Sequence, residues 1–160
     1  MDNKNLMTLA TKKYLEKKLM EAEKEMKKAL LAIGTAAGKE SNWHDNAAFE
    51  DANVQFNVCH SNLKNLREKL FNVEIIKPQK ETDVIKIGNT VVVQFKDKKK
   101  SEKFTILGSD DVGYQKECIS YTAPLSQAIL GKKAGESVVF KSPKGKQEVK
   151  IITILPGEFE

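Results

Sequence analysis

A chain of 160 residues, 40% hydrophobic and 31% charged, has room for one average domain or two small ones, and enough apolar mass for a core without disulfides. Its apolar runs are short, Val91-Val92-Val93 among them, which excludes a membrane span of about 20 residues. The polar start Met1-Asp2-Asn3-Lys4-Asn5 leads into no secretory-type segment, so a cytoplasmic protein is expected. The net charge of +5 rests on 27 basic residues, of which only Arg67 is arginine. Lysine supplies point charges that suit phosphate or an acidic surface but lacks the rigid fork that reads guanine edges, so a sequence-specific DNA reader is not expected. Cys59 and Cys118 are far apart and have no CxxC partner, which makes them reduced, buried residues in this reading.

The first 77 residues carry heptad spacing. Leu15, Leu19, Ala22, Met26, Ala29 and Ile33 form one apolar stripe, and Phe49, Ala52, Phe56, Cys59, Leu63, Leu66, Leu70 and Val73 form a second. If two helices fold back on each other, facing residues have numbers with a constant total. Ile33 with Phe49, Met26 with Phe56 and Leu19 with Leu63 all total 82, and Leu9 with Val73 continues the seam. The spacing therefore predicts a long antiparallel coiled-coil hairpin that turns near Ser41, with a tip at about residues 38–48 holding Asn42, Trp43, His44, Asp45 and Asn46.

Beyond Pro78 the period changes to that of strands. Val84–Ile87, Thr90–Phe95 and Glu102–Leu107 read as three strands, and a fourth includes Glu117–Ser120. Pro124 opens a short helix, Leu125–Leu130, which Gly131 closes. Ser137–Phe140 and Gln147–Leu155 flank a turn at Ser142-Pro143-Lys144-Gly145. The fold class is α+β, and the expected divisions are a coiled coil over 1–77, a linker over 78–83 and a small antiparallel sheet domain with one helix over 84–160.

Enzyme motifs are missing. Gly131-Lys132-Lys133-Ala134-Gly135-Glu136-Ser137 lacks the order of a phosphate loop and precedes a strand, so it reads as a turn, and His60 beside Cys59 reads as a surface histidine. Trp43, the single tryptophan, has two readings: a plug over the hairpin end with Asp45 capping the second helix, or part of a tip built to reach a partner.

The chain resembles the GreA/GreB family of bacterial transcript-cleavage factors along nearly its whole length. The family tip motif Asp-Leu-Ser-Glu-Asn-Ala-Glu-Tyr is matched by Asn42-Trp43-His44-Asp45-Asn46-Ala47-Ala48-Phe49. The family signature Ser-Pro-Leu-Gly-x-Ala-Leu-Leu-Gly-Lys is matched by Ala123-Pro124-Leu125-Ser126-Gln127-Ala128-Ile129-Leu130-Gly131-Lys132.

The resemblance implies an FKBP-like C-terminal domain that docks at the secondary channel of RNA polymerase, and a coiled coil whose tip approaches the active site and, indirectly, the 3′ end of the nascent RNA. It implies a monomer with no catalysis and no cofactor of its own, since the Mg²⁺ belongs to the polymerase. By this resemblance Asp45 assists the metal, Asn42 departs from the family acid, and Trp43, His44, Asn46, Pro124, Leu125, Gly131 and Lys132 are binding residues. Glu40 or Glu50 is the candidate replacement for the missing acid. A channel binder that does not stimulate cleavage and competes with true Gre factors is the alternative. A prolyl isomerase with a helical arm and a tRNA-binding hairpin are the readings from other classes, the first disfavoured because the single Trp lies outside the sheet half.

Overall fold

The computed structural model describes residues 4–38 and 47–160. Two compact units divide the chain: Met1–Lys12 with Asn72–Glu160, and Lys13–Phe71. The chain thus divides before Asn72 and not after residue 77, and the N-terminal residues are grouped with the sheet unit because β1 (Asn5–Met7) pairs in parallel with β2 (Val73–Ile75), Asn5 opposite Val73. Val73 is therefore a strand residue and does not extend the helical seam.

The helical unit is formed by α1 (Leu9–Gly38), from Lys13 onward, and α2 (Ala47–Leu70). Every described residue of the two predicted stripes within this unit is buried or half-buried, with Leu15, Ala22, Ala29, Cys59 and Leu63 most deeply covered. Glu50 in the first turn of α2 and Arg67 and Lys69 in its last complement the helix dipole. Cross-helix neighbours run at higher totals than 82. Arg67 donates to Glu23 across 3.2 Å, and Met26 and Leu63 line one shallow recess with Glu23, Lys27 and Arg67. A seam of period 3.5 meets the facing condition again whenever the total rises by about seven, so the stripes define the buried faces and leave the stagger to the turn. Leu63→Ala should destabilise the helical unit by about 2–5 kcal/mol in thermal unfolding of the whole chain, and an unchanged transition would contradict this packing.

In the sheet unit, β3 (Thr90–Phe95), β4 (Glu102–Leu107), β5 (Cys118–Ser120), β6 (Ser137–Ser142) and β7 (Gly145–Leu155) form one sheet in the order β5-β4-β3-β7-β6. Alternation sets its two faces. Val91, Val93 and Phe95 of β3 and Val149 and Ile151 of β7 turn inward onto Leu125 and Ile129 of α3 (Pro124–Ile129). The α+β class expected from the sequence holds, with two local corrections.

Val84–Ile87 is not a strand. Asn89, fully buried, accepts from the Lys86 N–H at 2.8 Å through its side chain and donates to the Glu81 carbonyl at 2.8 Å, so this segment is held as a turn. Gly88, at φ +95°, sits where a side chain would meet the Lys77 carbonyl. The sheet is also not wholly antiparallel, because β5 lies parallel to β4 after the 3-10 turn Ser109–Gly113 and a positive φ at Glu117.

Candidate functional site

The sheet unit grips the first turn of α1 through a buried carboxylate. Thr8 caps α1, its hydroxyl accepting from the Thr11 N–H at 3.3 Å. Asp111, fully buried, accepts from the Thr8 hydroxyl at 2.8 Å, the Thr8 N–H at 3.0 Å and the Gly108 N–H at 2.9 Å. Gly108 admits no side chain, since a Cβ there would lie 1.8 Å from the Leu6 carbonyl oxygen. Burial, and after it the negative charge of Asp111, pushes the Cys118 thiol up, which keeps it protonated and unreactive near neutral pH. The capping pair Thr8-x-x-Thr11 was a readable signal in the sequence; its partner more than 100 residues away was not.

A second cluster surrounds α3. Pro124 occupies the first helical turn, where its missing N–H costs nothing, and Ala123 before it is extended. The helix ends as the Leu130 N–H bonds the Ser126 carbonyl and Gly131 turns at φ +77°. Two bonds tie that turn down, Gly131 N–H to the Ile85 carbonyl at 2.8 Å and Ile85 N–H to the Lys132 carbonyl at 2.9 Å. Pro124, Gly131 and Lys132 are exposed, and the Lys132 ammonium lies 3.8 Å from Glu136.

Leu125 is instead part of the core and contributes by seating the helix. Ser126 stands at the family's glycine position, buried, its hydroxyl without a partner among the described residues. The exposed residues thus offer a small surface, with the Lys132 and Lys133 ammonium groups on a turn that is fixed by backbone bonds. Asn42, Trp43, His44, Asp45 and Asn46, together with Glu40, lie outside the described residues. Glu50 is exposed on α2, and His60 is exposed and stacks on Phe56 at 6.1 Å.

Residues 79–156, which span α3, its turn and the whole five-stranded sheet, match the family model "Transcription elongation factor, GreA/GreB, C-term". The chain is 28% identical over 143 residues to the transcription elongation factor GreA of Nitratidesulfovibrio vulgaris strain DP4, covering 89% of this chain and 87% of that one. It is 25% identical over 150 residues to the GreA of Francisella philomiragia, covering 92% and 94%. Among solved structures, GreA factor homolog 1 (Gfh1) of Thermus thermophilus is 18% identical with a TM-score of 0.43, covering 96% of this chain and 99% of that chain. The sheet unit thus matches the C-terminal domain model of a transcription elongation factor. Through it, and through relatives that extend over both units, the chain is similar to the GreA/GreB family.

Proposed function

We propose that the chain binds bacterial RNA polymerase in the cytoplasm as a monomer, docking through the surface made by Pro124, Gly131 and Lys132 at the rim of the secondary channel, and that residues 42–46 act near the polymerase active site. The observation that carries this reading is the match of residues 79–156 to the GreA/GreB C-terminal domain, which includes that surface. Any RNA hydrolysis belongs to the polymerase and its Mg²⁺, so the chain modulates a nuclease and is not one. Asp45 is the acid at a family-matching tip position, while Asn42 offers an amide oxygen, a poorer ligand for Mg²⁺ than a carboxylate. The chain therefore modulates elongation chiefly by occupying the channel and stimulates cleavage weakly.

The test is competition on a stalled, backtracked complex. Added in excess, the chain should suppress the cleavage stimulated by a two-acid GreA. Lys132→Glu, which reverses a charge on the docking surface, should raise the concentration needed by about tenfold, the scale of a hydrogen-bonded charge contact. No suppression at any concentration would contradict the reading.

A further inference from the structure

The net charge of the chain is concentrated at one end of one sheet. Lys96–Lys103 and Lys141–Lys150 together hold nine lysines against Asp97, Glu102 and Glu148, a net +6 where the whole chain carries +5. The register brings the two segments together: Phe95 lies opposite Val149, the Lys96 N–H bonds the Glu148 carbonyl at 3.1 Å, and both the β3–β4 and β6–β7 hairpins turn at this end. Alternation then sends Lys96, Lys103, Lys141, Lys146 and Lys150 to the face opposite the core, because Phe95, Phe104, Phe140, Val149 and Ile151 beside them turn inward. Lys96 pairs with Glu148, at 2.6 Å, and Lys98 with Glu102. Lys103, Lys141, Lys146 and Lys150 have no ion-pair partner among the described residues, and Lys141 stands directly opposite Lys146, a like-charge pair that weakens the sheet when nothing neutralises it.

We propose that this lysine face binds duplex DNA through its phosphates, without reading sequence. Charge density selects the ligand. The face spans roughly 13 Å along β7 and about 14 Å across four strands, and a duplex carries a charge about every 1.7 Å of its axis with both strands counted, so about eight phosphates lie along that length and about half of them can face the lysines. An ordinary protein surface mixes both signs and offers no such density. A single strand is held largely by stacking on exposed aromatic side chains, and here the nearby aromatics, Phe95, Phe104 and Phe140, are turned into the core. Lysine without arginine fits backbone contact and not base readout.

The measurement is anisotropy titration of the full chain against a labelled 20-base-pair DNA duplex at 50–200 mM salt, with single-stranded RNA and polyglutamate as competitors. The slope of log K against log salt should be about −4 to −5. The triple variant Lys141→Gln, Lys146→Gln, Lys150→Gln should weaken binding about 100-fold at the lowest salt and flatten the slope by about 3. These side chains are exposed and the variant removes the Lys141–Lys146 repulsion, so its melting temperature should be no lower than the parent's. A control variant with Lys17, Lys24 and Lys28 of α1 changed to Gln should bind as the parent does. Absence of binding at 50 mM salt, equal losses in the two triple variants, or stronger competition by RNA or polyglutamate than by unlabelled duplex would overturn the proposal.

Discussion

Asp111→Ala is expected to lower the unfolding transition of the sheet unit by more than about 10 °C. The carboxylate is fully buried and accepts from the Thr8 N–H, the Thr8 hydroxyl and the Gly108 N–H. Alanine would leave these donors buried without an acceptor, at about 1–3 kcal/mol each. A total near 3 kcal/mol is a large share of the stability of a domain this size, and each kcal/mol moves the midpoint by about 4–8 °C. Asp111→Asn is a sharper control: it keeps an oxygen but turns an NH₂ toward groups that are themselves donors, so it should recover little. Thr8→Ala removes the cap and one donor together and should cost only about 1–2 kcal/mol. A shift below about 2 °C in Asp111→Ala would mean that the carboxylate does not hold the start of α1.

The second large effect is chemical. Asp45→Ala should reduce whatever RNA cleavage the chain stimulates by on the order of 10²-fold, the scale set by losing placement at a reacting centre, while polymerase binding changes little. Asn42→Asp should raise cleavage, because a second carboxylate beside the polymerase metals adds negative charge where two-metal hydrolysis uses it. Strong cleavage by the unaltered chain would transfer the missing role to a residue outside the motif, Glu40 or Glu50. Glu40→Gln and Glu50→Gln then separate these two.

How legible the fold was depended on whether the decisive contact was local. Thr90–Phe95 and Glu102–Leu107 alternate inward and outward, and both strands have the bounds expected from that alternation. Pro124 and Gly131 bracket α3 because each has backbone chemistry that few other residues share. Val84–Ile87 misled because its apolar pattern is that of a strand, whereas the outcome was set by a side chain outside it, Asn89, which captures the Lys86 N–H. The β1–β2 pair left no pattern, since three residues are too few to show alternation and the partners lie 68 positions apart. The helical stripes revealed which faces are buried but not their stagger, because their period satisfies more than one alignment. Of the signature residues at the candidate docking surface, Pro124, Gly131 and Lys132 are exposed in α3 or just after it, while Leu125 in the same motif is a core residue. Asp111 was not legible as the anchor of α1, because an acid in a polar turn looks like any solvated acid until Thr8 is folded against it.

The central claim, that a GreA/GreB-family C-terminal domain brings this chain to RNA polymerase, is tested most directly by equilibrium binding of the labelled full chain to bacterial core polymerase. The account predicts saturable one-to-one binding that an unlabelled GreA displaces and that Lys132→Glu weakens. Failure to bind, or binding that GreA does not displace, would contradict it.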